Sequence, residues 1–170
     1  MIVWLIGLSG AGKSTIGRPL VCRLRKQWNS VVYLDGDDLR DIWGEQLGYD
    51  VESRRINAHR ISHLCQMLDR NGISAVATVL SIFPEWQKWN RQNFSSYFEI
   101  FLDVPLDVLH ARDPKGIYAN ARKGEMENVV GIDIAFPTPP NPDLVISNGH
   151  QMTDVTPVVE EILAVLPSRI

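Results

Sequence analysis

The chain has 170 residues, of which 45% are hydrophobic and 22% charged, and carries a formal net charge of −3. That length supports one domain over residues 1–170, and the absence of a basic excess predicts no nucleic-acid partner. No stretch reaches the ~18 apolar residues of a membrane span and no charged leader opens the chain, so a cytoplasmic protein without membrane contact is expected. Its two cysteines, Cys22 and Cys65, are predicted as buried, unpaired thiols inside helices.

The first predicted strand, 2–6, runs directly into Gly7-Leu8-Ser9-Gly10-Ala11-Gly12-Lys13-Ser14-Thr15. This is the G-x-x-x-x-G-K-[ST] pattern in its strand-then-helix context. Glycines let the backbone turn without a Cβ in the way of a phosphate, and the inward amides form an anion nest. The helix that follows, near 13–28, adds its positive N-terminal end. The pattern predicts nucleoside-triphosphate binding by Gly7, Ser9, Gly10, Ala11, Gly12, Lys13, Ser14 and Thr15. Lys13 reaches the β- and γ-phosphates, and Ser14 offers its hydroxyl to Mg²⁺.

A second strand at 31–34 ends in Asp35-Gly36-Asp37-Asp38-Leu39-Arg40. Asp35 could hold Mg²⁺ or take the proton of an attacking hydroxyl, and Arg40 could clamp an anionic substrate. The acidic pair could equally cap the helix near 38–46, through Asp37 or Asp38. A third helix, 53–71, places Ile56, Ile61, Leu64, Cys65 and Leu68 on an apolar face and stops at Gly72. Near its start Arg54, Asn57 and Arg60 share a face at i, i+3 spacing, with Arg55 and His59 beside them. His59 and His63 stand at i, i+4, but without the glutamate of an H-E-x-x-H motif a surface pair is the expectation.

Strands at 73–80, 98–103 and 143–147 alternate with helices near 84–94, 105–112 and 154–166. Near-continuous apolar strands alternating with helices predict an α/β fold, a five-stranded parallel sheet covered on both faces. Residues 113–142, rich in proline and glycine but carrying Ile117, Tyr118, Val129, Val130 and Phe136, read as a lid. Arg112 and Lys115 at its opening are candidates to meet charge on a transferring phosphoryl group.

Taken together, the glycine loop, Leu34-Asp35-Gly36-Asp37 with Arg40, Leu47-Gly48-Tyr49 with Arg54, Asn57 and Arg60, Ser81, and the lid motifs Arg112-Asp113-Pro114-Lys115-Gly116-Ile117-Tyr118 and Gly131-Ile132-Asp133 resemble the adenylylsulfate kinase family. The resemblance implies a P-loop nucleoside-kinase-like fold, a homodimer, ATP and Mg²⁺, and transfer of the γ-phosphate to the 3'-hydroxyl of adenosine 5'-phosphosulfate. By position it implies catalytic Lys13, Asp35 and Lys115, and metal contacts from Ser14 and Asp35. Arg112 falls on the ATP side. The acceptor, a small-molecule nucleotide, falls to Asp37, Arg40, Tyr49, Arg54, Asn57, Ser81, Lys115, Gly131 and Ile132.

The sequence departs from the family at Asp38, Tyr49, Ile56, Ile82, Ala119-Asn120, Val129-Val130 and Phe136-Pro137. Val129 stands where the family has a phenylalanine that sandwiches the adenine with the aromatic at 49. Loss of one stacking face is worth about 1–3 kcal/mol per base. A second reading therefore follows, a kinase of the same mechanism acting on another nucleotide such as a cytidine diphosphoramidate. A third is a nucleotide-dependent switch, against which stand the lid and the lack of an Asn-Lys-x-Asp guanine motif.

Overall fold

The computed structural model describes residues 1–44, 47–149 and 154–166. Strand β1 (Ile2–Ile6) is buried along its whole length. Apolar side chains on both sides of a strand require cover on both faces, and the parallel sheet built around β1 has it. The order is β2-β3-β1-β4-β5, with β2 at Val31–Asp35, β3 at Ser74–Val79, β4 at Tyr97–Asp103 and β5 at Leu144–Ser147. β1 pairs with β3 from Ile2↔Ala75 to Ile6↔Val79, and with β4 from Ile2↔Tyr97 to Ile6↔Phe101. All pairings are parallel, so the carboxyl ends collect at one edge, where such sheets bind ligands.

Alternation along β1 divides the core. Val3 and Leu5 pack with Ile16 and Leu20 of α1 (Lys13–Leu24) and with Val159 and Ile162 of α7 (Thr156–Val165). Ile2, Trp4 and Ile6 pack with Leu39 of α2 (Gly36–Trp43), Ile61 and Cys65 of α3 (Val51–Arg70), and Phe94, which follows α4 (Pro84–Asn93). The predicted α/β architecture is therefore the observed one. Among the described residues no helix is long and apolar enough to cross a membrane.

Several local expectations are corrected. Cys22 is exposed, because Ile16, Gly17, Leu20, Val21 and Leu24 occupy the inner face of α1. Cys65 is buried as expected, and desolvation pushes its thiol well above the ordinary range. Ile56 is 38% exposed and outside the apolar face of α3. α1 stops at Leu24, and Trp28 then donates its amide to Leu24 O at 2.8 Å, which turns its indole into the core. Neither Asp37 nor Asp38 caps α2. Asp35 does, accepting from the Asp37 amide at 3.0 Å. Glu45 and Gln46, placed in that helix by the sequence pattern, lie outside the described residues. Asp50 caps α3 through the Ser53 amide, and Gly72 takes φ 72° just past its end.

The segment expected to lack regular structure, 113–142, follows α5 (Leu106–Arg112) and contains a short helix, α6 (Ile117–Arg122). Tyr118, Val129 and Val130 are buried in the cluster that covers β1, so this segment is anchored to the main core.

Leu20 is fully buried on the inner face of α1. Leu20→Ala is expected to lower unfolding free energy by about 2–5 kcal/mol, read as a lower denaturant midpoint at unchanged slope.

Candidate active site

The chain leaves β1 at Gly7 and turns into α1 at Lys13. Gly10 and Gly12 take φ of 77° and 94°, left-handed values that side chains resist. Lys13 folds back over the turn, its Nζ donating to Gly7 O at 2.8 Å and Leu8 O at 2.9 Å. Burial brings its pKa down to about 8, against the opposing pull of Asp37 and Asp35. An ammonium held this way is stabilised by a polyanion entering the loop.

Side chains brace the loop from outside. Tyr118 donates its hydroxyl to Ser9 O at 3.0 Å; burial and Asp113 push that phenol up to about 12, which keeps it a donor. Asn148 donates Nδ2 to Ala11 O at 3.0 Å and its own amide to Asp103 O at 2.9 Å. Arg112 donates to Asn148 O at 2.9 Å. Tyr118 and Asn148 had no assigned role in the sequence reading. Tyr118 carried one signal, an aromatic in a polar lid; Asn148 carried none, since its contact with Ala11 spans 137 positions.

At the end of β2, Asp35 Oδ2 accepts from Ser14 Oγ at 2.7 Å, Tyr33 OH at 2.9 Å and Thr78 Oγ1 at 3.2 Å. Burial favours the protonated carboxyl, but these hydroxyls and the Asp37 amide more than offset it and hold the carboxyl below its ordinary value. Ser14 and Asp35 present adjacent hard oxygen donors, which fit Mg²⁺. Among the described residues no group of three or more His, Cys, Asp or Glu could hold a metal.

Arg40, on α2, is 8% exposed and donates to the carbonyls of Leu47 and Gly48. The guanidiniums of Arg40 and Arg54 lie 4.8 Å and 5.6 Å from the centre of the Tyr49 ring. Arg54 donates to Tyr49 O at 2.7 Å and Asn128 O at 2.8 Å, tying α3 to the 113–142 segment. Burial and then the neighbouring Arg40 lower the pKa of Arg54, so this cationic pair favours an anion. Asn57, one turn further on, is buried, and its Oδ1 has no hydrogen-bond partner. Lys115 pairs with Asp37, which raises its pKa. Lys13, Asp35, Asp37 and Lys115 act on one another electrostatically, as do Lys115 with Tyr49 and Arg54 with Asp37. The predicted residues thus form one charged neighbourhood.

Others fall elsewhere. Thr15 is exposed. Ser81 has φ 56°, and its hydroxyl accepts from Trp4 Nε1 at 3.4 Å and Gln87 Nε2 at 3.3 Å. Arg55 pairs with Glu85, Arg60 lies over Trp43, and the rings of His59 and His63 lie 4.1 Å apart in a tilted contact, both against Trp86. Gly131 and Ile132 line a cleft of about 470 Å³ with Leu8, Phe101, Leu106 and Phe136.

A parallel sheet ending in a glycine loop, with Lys13 inside it and Ser14 against Asp35, defines a P-loop phosphotransferase. Residues 1–147 match the family model described as adenylylsulphate kinase. The chain belongs to that family, phosphotransferases with a hydroxyl acceptor. It is 40% identical over 147 residues to the cytidine diphosphoramidate kinase of Campylobacter jejuni, covering 86% of this chain and 85% of that one. It is 37% identical over 170 residues to the adenylyl-sulfate kinase of Pseudomonas aeruginosa, covering 99% and 86%. The Mycobacterium tuberculosis APS kinase, solved in complex with AMPPNP and APS, superposes at a TM-score of 0.85 with 33% identity, covering 96% of this chain and 95% of that one.

A phosphate ligand favours protonated Lys13, whose pKa in the free protein is depressed to about 8. Binding therefore takes up a proton once that group begins to deprotonate, and affinity for ADP is expected to fall as pH rises through about 8. Titration calorimetry from neutral to alkaline pH reads this directly, and Lys13→Met should remove that part of the pH dependence.

Proposed function

We propose that this protein transfers the γ-phosphoryl group of ATP to the 3'-hydroxyl of adenosine 5'-phosphosulfate, giving the 3'-phosphorylated product used in sulfate assimilation. The observation that carries this reading is the joining of two anion sites in one charged neighbourhood. One is the glycine loop with Lys13. The other is the Arg40 and Arg54 pair, beside which the buried Asn57 Oδ1 stands open to accept from an N–H or O–H of a nucleotide.

In this reading the triphosphate lies in the loop, and Lys13 leaves the carbonyls of Gly7 and Leu8 for the β- and γ-phosphates. Bound Mg²⁺ would neutralise charge on those phosphates, held by Ser14 and Asp35. The phosphosulfate end of the acceptor lies on Arg40 and Arg54, and the open Asn57 Oδ1 accepts from a hydroxyl or N–H of the nucleotide. Lys115 leaves Asp37 as the 113–142 lid closes and meets charge spreading over the transferred group. Closure also excludes water that would otherwise hydrolyse ATP. Asp35, ionised and already accepting several hydrogen bonds, serves as a fixed charge at the metal. A homodimer in the cytoplasm belongs to the same proposal, on the strength of the family resemblance, and sedimentation velocity tests the dimer.

A specific observation favours the second reading, a cytidine diphosphoramidate as acceptor. Val129 is 4% exposed and packs into the core, so position 129 offers no aromatic face to pair with Tyr49. Phosphate-binding residues beside an altered base pocket suit a different nucleotide, and the Campylobacter jejuni relative is named for such a substrate.

ADP release from ATP and Mg²⁺ should rise on addition of adenosine 5'-phosphosulfate, with a product heavier by one phosphoryl group in the mass spectrum. Turnover confined to cytidine diphosphoramidate would replace the first reading with the second. Lys13→Ala is expected to cost several kcal/mol in kcat/KM, on the order of 10²–10³-fold; an unchanged value would refute the assignment.

A further inference from the structure

Asp35 is held by more hydroxyls than the glycine-loop motif supplies. Ser14 belongs to that motif; Tyr33 and Thr78 do not. Tyr33 stands two residues before Asp35 on β2, so the two share a face of the sheet. Thr78 is the partner of Asp35 in the β2–β3 register. Their hydroxyls converge on one atom, Asp35 Oδ2, at 2.9 Å and 3.2 Å, and lie 3.0 Å from each other.

A second observation is independent of these bonds. Gly17 lies inside α1, where it is buried. A Cβ there would come within 2.6 Å of Thr78 Cγ2 and 3.0 Å of Tyr33 Cε2. Glycine is a poor helix former, and its helical backbone here needs no left-handed φ. What the position requires is space, and the atoms that fill it belong to Tyr33 and Thr78. The Tyr33 ring is also covered by Arg18, whose guanidinium carbon lies 4.9 Å from the ring centre.

We propose that Tyr33 and Thr78 are positioning residues that fix the Asp35 carboxylate against Ser14 for a divalent cation, and that Gly17 admits them to that place. The inference rests on the reading of Asp35 as a charge at the metal. A carboxylate on a single side-chain pivot can rotate away from its ligand. Two added hydroxyls on Oδ2, with the Asp37 amide on Oδ1 at 3.0 Å, leave it one orientation. Such outer partners of metal-binding carboxylates typically change metal affinity or activity by about 10–100-fold when removed.

The test uses Mn²⁺ as the probe, with ADP present and bound metal read by electron paramagnetic resonance, beside kcat and the affinity for metal-free ADP. Tyr33→Phe keeps the ring and removes only the hydroxyl. Expected are about tenfold weaker Mn²⁺ binding and a comparable fall in kcat, with metal-free ADP affinity unchanged. Thr78→Val should share that pattern, and Thr78→Ser, which keeps the hydroxyl, should restore wild-type values. Gly17→Ala should reproduce the Mn²⁺ defect by displacing both side chains, whereas in open space alanine would simply raise the melting temperature. Wild-type Mn²⁺ affinity and kcat in Tyr33→Phe, or a lower melting temperature alone, would overturn the inference. Asp35→Asn separates the two levels. If it leaves Mn²⁺ binding intact, the metal role of Asp35 falls; if it abolishes binding while Tyr33→Phe does not, only the bracing falls.

Discussion

The site depends on a strand that cannot carry charge. β1 is buried on both faces from Ile2 to Ile6, so any polar group on it would face a dry core, at a cost of about 1–3 kcal/mol or more when unpartnered. Polar function begins where the strand ends, at Gly7, and the parallel pairing of β2, β3 and β4 brings their ends to the same edge. Lys13, Asp35 and the 113–142 segment meet at that edge. The glycine loop joins that buried strand to the buried inner face of α1.

The charges at that edge are held by partners of the protein's own. Lys13 rests on loop carbonyls, Lys115 on Asp37, Arg40 on the carbonyls of Leu47 and Gly48, and Arg54 on those of Tyr49 and Asn128. In the proposed function these groups are held near their working positions before a ligand arrives, so binding would exchange carbonyl partners, and for Lys115 the Asp37 carboxylate, for phosphate instead of ordering free side chains. The same partners carry information between elements. Arg54 reaches from α3 to Asn128, and Tyr118 from α6 to Ser9. The 113–142 segment thus touches both α3 and the glycine loop through direct contacts.

In the proposed function, phosphate handling and base recognition are physically separate. The first uses backbone amides and charged groups fixed by the sheet edge. The second would fall to Tyr49, 58% exposed in the loop before α3, and to the 113–142 segment, where Val129 is sunk into the core. A base-recognition surface built from loops can change while the loop chemistry stays intact, as the two named activities among the relatives illustrate.

The sequence by itself determined the chemistry whose parts lie close together in the chain. Glycine spacing and Lys13 announced the phosphate loop, because a nest and a helix N-terminus are local structures. Hydrophobic alternation gave the strands and the parallel sheet, because burial on both faces leaves a continuous apolar run. Tertiary structure decided what depends on distant pairing. The helix cap moved from Asp37 or Asp38 to Asp35, since the strand end sets where α2 can begin. Cys22 turned outward because the sheet selects one face of α1. Thr78 came to Asp35 from 43 positions away, by a strand register that no local pattern encodes. Tyr33 stands two residues from Asp35 on the same strand face, a local relation, but its place on Asp35 is set by Thr78 in the neighbouring strand and the space at Gly17. Proximity across strands and helices is a property of the packed fold, and it assembled the acceptor cluster and the hydroxyls on Asp35.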